Sequence, residues 1–397
     1  MAVLLVLMLA ASGVPSPLYR VYQEEFGFSS GVLTTIFGIY AFALLASLLV
    51  VGALSDHVGR RPVLVVAFLL EAVAMVLILV SDGVGWLLAA RVVQGLATGA
   101  LTSTLGAGVL DLQNRERPLG AFINSASPGL GLSLGAVGAG LLVQFVPSPT
   151  DWVFAVLTVV FVLASAGTLL LLPETSPRLP GALASLRPQV HVPPANRRAF
   201  LGALPVLVAC WAVGGLYASL GPSLLVDVYG IDNHLAGGLL IFALNGTGVF
   251  GSLALKGSAP QRALAVGSLV FAAGVAGTVA ALFTGSVTVL FLAAVVTGFG
   301  FGAAFLGAVA TITAGVEPGH RAGLLAAIFV VGYLAFSVPA IAAGIAVGAI
   351  GLERAAEIYG IAVIVLALSA VASLALRRRR DAAPLPTADE DSRALAA

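Results

Sequence analysis

Long apolar runs and short polar breaks alternate along the whole chain. Twelve runs read as spans: about 2–19, 31–51, 63–80, 84–109, 118–143 and 152–172, then 200–221, 234–254, 263–283, 286–311, 322–347 and 355–376. A bilayer core takes roughly 20 apolar residues as a helix. In lipid each run must satisfy its own backbone hydrogen bonds, so all twelve are predicted helical. The first run, Ala2 to Ser16, is short for a span. Either its helix continues through Pro15 and Pro17, or the chain begins upstream of Met1. No basic residue precedes it, which argues against a signal peptide. The longest internal break, Pro173–Ala199, is rich in proline and carries Arg178, Arg187, Arg197 and Arg198, the composition of a surface linker. The predicted fold is therefore an all-α integral membrane protein. A six-helix bundle over 1–172 is followed by a linker over 173–199 and a second six-helix bundle over 200–376. A tail over 377–397, basic and then polar enough to be disordered, ends the chain.

Composition agrees with this pattern. Hydrophobic residues make up 59% and charged residues 9%, where a soluble domain carries about 25% charged. Most of the surface is expected to face lipid. A net charge of +1 argues against a nucleic-acid partner. The single cysteine, Cys210, excludes an internal disulfide. Lysine and arginine set the orientation. The side holding Gly52–Pro62 has Arg60, Arg61, Arg115, Arg117, Arg178, Arg187, Arg197, Arg198, Lys256, Arg262, Arg321 and Arg377 to Arg380, fifteen in all, against Arg20 and Arg354 on the other. That bias puts the first side, with both termini, in the cytoplasm of a plasma-membrane protein.

The polar residues inside this frame carry the chemistry. Between the second and third spans runs Gly52-Ala-Leu-Ser-Asp56-His-Val-Gly59-Arg60-Arg61-Pro62. Asp56 and Arg60 are one helical turn apart, close enough to cluster. Gly52 and Gly59 permit a tight turn or a close approach, and Pro62 suits the first turn of a helix. In the fourth span Arg91, Gln94, Thr98 and Thr102 share one helix face. An arginine in a span costs about 2.5–3.5 kcal/mol on insertion scales, so Arg91 needs a partner or a wet cavity. Glu71, mid-way along the third span, is a candidate proton carrier, with packing or an ion pair as the alternatives. The fifth span lines up Asn124, Ser127, Gly131, Gly135 and Gly138, a small-residue face for helix packing. Asp111, Arg115 and Arg117 follow the fourth span, where Asp111 could bond Arg60 or Arg61. Trp211, Tyr217, Asn245, Thr247, Tyr333 and Ser337 are candidates for a mostly apolar cavity with a few polar groups.

The pattern G-x-x-x-D-x-x-G-R-R resembles the loop between helices 2 and 3 of the major facilitator superfamily of secondary transporters. Arg91-Val-Val-Gln94-Gly95, with Gly99, resembles that family's fourth-helix motif, and Leu172-Pro173-Glu174-Thr175 resembles the end of its sixth helix. Gly135 to Gly140 resembles the fifth-helix motif of the drug/proton antiporters, with Ala136 and Ala139 at positions usually Pro and Gly. The resemblance implies alternating access between two bundles. Gly52, Asp56, Gly59, Arg60, Arg61, Asp111 and Arg115 would act as a conformational switch. Arg91, Gln94, Thr98, Glu71, Asn124, Trp211, Tyr217, Asn245 and Tyr333 would lie on the coupling or substrate pathway. It further implies a monomer exporting small amphipathic compounds against protons. A proton-linked importer of a sugar or organic acid is the alternative. The first span lacks the acidic residue that many proton-coupled relatives carry, and the second half keeps only Gly251, Lys256 and Arg262 of the loop motif. No phosphate-loop motif, cofactor motif or metal-ligand spacing occurs. The four histidines are far apart in sequence, which argues against an enzyme.

Overall fold

The computed structural model describes residues 1–114, 116, 119–176 and 178–381. Arg115, Arg117 and the tail beyond residue 381 lie outside the described residues. Helices α1 (Ala2–Gly13) and α2 (Pro15–Phe26) form the first span, joined through Val14, whose backbone stays helical. The expected passage of this helix through Pro15 and Pro17 is what the structure has. Pro15 has no N–H to give the Ala11 carbonyl, so that oxygen is left free inside the bundle. The next spans are α3 (Ser30–Val51), α5 (Arg60–Leu79), α6 (Val84–Asp111), α7 (Gly120–Phe145) and α8 (Pro149–Leu171), with a short α4 (Leu54–Val58) in the loop before α5. After the linker and its single turn α9 (Ala182–Ser185) come α10 (Pro194–Ser219), its short continuation α11 (Gly221–Asp227), α12 (His234–Leu255), α13 (Pro260–Thr284), α14 (Val287–Thr313), α15 (Pro318–Ile350) and α16 (Leu352–Asp381). Twelve helices among the described residues are long and apolar enough to cross a membrane. Helix α10 starts at Pro194, six residues before the expected 200, because a proline is well placed at a first turn.

Buried apolar side chains form two main clusters, one from residues 5 to 164 and one from 200 to 370. Two seams join them: α7 runs along α12, and α3 runs along α15. Glycines make the α7 seams close. A Cβ on Gly135 would overlap the Ala10 carbonyl of α1, and one on Gly140 would lie 3.0 Å from Leu235 Cα of α12. Gly131 likewise meets Leu9. Helix α7 is therefore a wedge, with Gly131 and Gly135 toward α1, and Gly129 and Gly140 toward α12. The expectation that Gly138 packs with Gly131 and Gly135 is corrected, since a Cβ there would have no neighbour within 4 Å. Its turn falls between the two contact faces. Gly135→Val should cost about 1–3 kcal/mol through overpacking, read as lowered melting in detergent. Gly138→Ala should melt no lower than wild type.

Candidate functional site

The loop before α5 is a small folded unit. Gly59 has φ +112°, a backbone state that favours glycine. A Cβ there would also strike the Glu174 carboxylate. That carboxylate accepts the Arg60 N–H at 2.8 Å, the Arg61 N–H at 3.2 Å and the Ser176 N–H at 3.0 Å, so it caps the start of α5. Beside it the Arg60 side chain donates to Ser55 Oγ at 2.7 Å and to Asp111 Oδ2 at 3.1 Å, and pairs with Asp56. Thr175 donates to the same Asp111 oxygen at 3.0 Å. The linker straps over the loop: Ser176 Oγ and Leu179 N both donate to the Asp56 carbonyl, at 2.9 and 3.0 Å. The two arginines differ. Arg60 is 7% exposed and centred among its partners, whereas among the described residues the Arg61 side chain joins no ion pair and its Nε has no acceptor. The contact Arg61 makes here is through its backbone N–H to Glu174. Gly52 takes an ordinary right-handed backbone, φ −54°, so no positive-φ turn occurs there.

Burial pushes the Glu174 carboxyl up, but the Ser176, Arg60 and Arg61 N–H groups and the Arg178 charge outweigh it, leaving it below its ordinary 4.5. With the folded value the lower one, its stabilisation is complete above about pH 4.5 and is lost as pH falls through the folded value. Glu174→Ala should therefore lower stability by about 1 kcal/mol near neutral pH, the scale of a helix cap. The gap to wild type should close in acid, as melting curves across pH would record.

A second polar group lies inside the first six spans. Gln94 Nε2 donates to the Ala11 carbonyl that Pro15 leaves free, at 3.3 Å, and Gln94 Oε1 accepts from Arg91. The Arg91 guanidinium sits 4.1 Å from the Tyr40 ring centre and 5.9 Å from that of Tyr19. Such a contact is worth about 0.5–2 kcal/mol. Arg91, Gln94, Thr98 and Glu71 are all buried, with Glu71 fully so. Thr98 donates to Glu71 Oε1 at 2.6 Å, and Glu71 Oε2 has no partner. Neither Glu71 nor Arg91 forms an ion pair among the described residues. The ion-pair reading of Glu71 is thus corrected: its hydrogen-bond partner is the Thr98 hydroxyl, and no cation lies within ion-pair distance among the described residues. Gly95 and Gly99, in contact with Tyr40 O and Leu44 O, bring α6 close to α3.

Tyr40 also reaches the last six spans. It packs with Tyr333 and Phe336 of α15. Trp211 crosses Tyr333 edge-on at 4.8 Å between ring centres, with Phe336 at 6.1 Å and Phe305 at 6.2 Å. Trp211 Nε1 and Ser337 Oγ are buried without partners among the described residues. The other candidates lie elsewhere. Tyr217 turns into the second cluster, its hydroxyl 2.7 Å from Thr278 Oγ1, so it is corrected from pathway to packing. Asn245 Nδ2 bonds its own helix at Ile241 O, and its backbone lies against Gly129 on the α7–α12 seam. Asn124 Nδ2 ties α7 to Gly106 O at 2.9 Å. Two histidines that are distant in sequence, His191 and His320, have rings 5.9 Å apart. Glu174 and Ser55 are the important residues that spacing alone missed; the Pro173-Glu174-Thr175 resemblance was the one signal.

Polar contacts between the first six and last six spans fall on one face. Among the described residues they are the Arg20–Asp227 pair at 3.0 Å and Gln144 Oε1 accepting from His234 N at 3.3 Å. Both lie at the ends of the spans opposite the Asp56 loop. The Arg60 cluster has no partner from residues 200–375.

Twelve spans, a buried arginine and two helix seams between the residue 5–164 and 200–370 clusters make up the frame. The chain belongs to the Major Facilitator Superfamily, whose family model matches residues 1–338. It is 38% identical over 125 residues to the class C tetracycline resistance protein of Escherichia coli, covering 31% of this chain and 30% of that protein. It is 24% identical over 207 residues to the multidrug resistance protein MdtL of Escherichia coli O81, covering 51% of each. It is 34% identical over 156 residues to a probable actinorhodin transporter of Streptomyces coelicolor, covering 38% of this chain and 27% of that protein. The matches thus span about half or less of these relatives' lengths. In fold it is similar to a bacterial homologue of the human lysosomal transporter Spinster, with TM-score 0.74, 15% identity and coverage of 94% and 95% of the two chains. It is similar also to the human organic anion transporter MFSD10, with TM-score 0.63, 19% identity and coverage of 92% and 96%. The chain is thus a member of that superfamily, and the relatives it matches are transport and resistance proteins rather than enzymes.

Proposed function

We propose that this protein exports small amphipathic compounds across the plasma membrane in exchange for protons, as a monomer working by alternating access. Its bundles are residues 1–172 and 200–376, with the Asp56 face and both termini in the cytoplasm. One observation carries the reading. Among the described residues the polar contacts between bundles lie at the face opposite the Asp56 loop, while the Arg60–Asp56–Asp111 cluster keeps to the first bundle and the linker. That asymmetry suits a state closed outward, with the cluster holding the loop as a rigid unit ready to meet the second bundle when the inner side shuts. The aromatic group of Tyr40, Tyr333, Phe336 and Trp211 supports an amphipathic cargo, as do relatives named for tetracycline and multidrug resistance. Transport of an organic acid is a second reading. It is favoured by the unneutralised Arg91 and by the partnerless Trp211 Nε1–H, both donors for a carboxylate.

The experiment is flux into proteoliposomes with an acidic lumen, probed with ethidium, tetracycline and an aromatic carboxylate. Gradient-driven accumulation of ethidium or tetracycline is the expected result. Accumulation of the carboxylate alone would move the assignment to organic acids, and flux indifferent to the gradient would remove proton coupling.

A further inference from the structure

Every acidic residue in the spans except one lies near a helix end. Glu71 is eleven residues into α5, about 16 Å along the axis at 1.5 Å per residue. Arg91 is the corresponding lone cation, on the adjacent α6, two turns before Thr98. An unpaired ionisable group inside a membrane bundle is costly and marks function more often than packing. Here both groups are kept on adjacent helices, Arg91 two turns from the Thr98 that holds Glu71, and they are not paired among the described residues.

The described arrangement fits Glu71 as the neutral acid. It is fully buried, Thr98 holds one oxygen at 2.6 Å, and the other oxygen has no partner. An ionised carboxylate so enclosed would need a cation. The groups facing it are few. Helix α6 offers Arg91 and α3 offers Tyr40. Helix α8 brings no charged side chain near this depth: its Phe161 stacks on Phe68 and its Ser165 bonds Val65 O further along α5, while its one acid, Asp151, lies in its first turn. Among the described residues Arg91 is the one cation within the first six spans that could serve as counter-ion, and its Nε–H lacks an acceptor there. The cover over Arg91 is Tyr40, which also packs on Tyr333 and Phe336 across the α3–α15 seam. Movement of the second bundle would therefore shift the group that separates Arg91 from its surroundings.

We propose that Glu71 carries the transported proton and exchanges Thr98 for Arg91 as it does so. Loading forms an O–H bond on the carboxylate as an O–H bond of a hydronium ion on the acidic side breaks, leaving neutral water behind. Release breaks that bond and returns the proton to water on the other side, leaving the electron pair on an oxygen that Arg91 then stabilises. The assignment rests on the proton-coupled reading above, and replaces the first-helix acid that the sequence lacks.

Two arms test it. In the first, wild-type protein in detergent is treated with dicyclohexylcarbodiimide, which modifies protonated buried carboxyls, and Glu71 is followed by mass spectrometry across pH. Labelling at acid and neutral pH that fades in alkali is expected, with Arg91→Met extending it to higher pH because the ionised form loses its counter-ion. No labelling at Glu71, or a profile that Arg91→Met leaves unmoved, would overturn the assignment. In the second arm, Glu71→Gln in proteoliposomes should lose gradient-driven ethidium accumulation but keep ethidium counterflow, and Glu71→Asp should recover part of the driven flux. Driven flux in Glu71→Gln equal to wild type would overturn the assignment while coupling stood. Wild-type flux that ignored the gradient would sink the coupling reading, and the assignment with it.

Discussion

Arg91→Met is expected to melt no lower than wild type and yet to lose gradient-driven transport. An arginine in a span costs about 2.5–3.5 kcal/mol on insertion scales. The contacts found for Arg91 return only part of this: a bond to Gln94 and a cation–π contact with Tyr40. No carboxylate neutralises it. Methionine fills similar apolar volume without the charge, so stability should hold or rise. Function should fall by more than about tenfold, the scale of a coupling free energy of 1–3 kcal/mol, because the sole interior cation is gone. Melting by intrinsic fluorescence and flux in proteoliposomes read the two effects separately. A variant that melts well below wild type but transports normally per folded molecule would make Arg91 a structural tie.

Arg60→Ala and Arg61→Ala should separate sharply, although the sequence presents the two as a pair. Arg60 holds Ser55, Asp56 and Asp111 together from a nearly buried position. Its removal leaves two carboxylates facing each other across the loop. Asp56 and Asp111 are 42% and 33% exposed, so water takes up part of the loss. A few kcal/mol of local order is the scale for breaking a partly buried network. Transport should drop by more than about tenfold on the same coupling scale. Arg60→Lys should recover little, since one ammonium cannot reproduce the forked contacts. Arg61→Ala should keep most of the activity, because only its backbone meets Glu174. Equal losses in the two variants would show that net positive charge, not the network, is what matters there.

The spans were legible because lipid imposes one requirement on every residue of a helix. The passage of the first helix through Pro15 and Pro17 was legible for the same reason, since the apolar run alone was too short. The partners of the polar residues were not. Spacing placed Arg91, Gln94 and Thr98 on one face, but could not tell that Gln94 answers the carbonyl Pro15 frees, or that Thr98 faces Glu71. Sequence left Glu71 open between proton carrier, packing and ion pair, because burial against α6 depends on how α5 is rotated. Likewise Gly131, Gly135 and Gly138 look equivalent until two different helices claim α7, and Tyr217 looks like pathway until Thr278 takes its hydroxyl. Glu174 was hidden because its bonds go to backbone N–H groups more than a hundred residues earlier.

The most direct measurement of the central claim is a pair of inter-spin distances by pulsed electron paramagnetic resonance, Cys210 being buried and left in place. One label pair, Glu24→Cys with Asp232→Cys, spans the bundles at the face of the Arg20–Asp227 pair. The other, Asn114→Cys with Ala259→Cys, spans them at the Asp56 face. If the bundles rock about a central site, moving from acid to alkaline pH or adding ethidium should shift the two distance distributions in opposite directions. Two distributions that stay fixed, or that widen and narrow together, would contradict it.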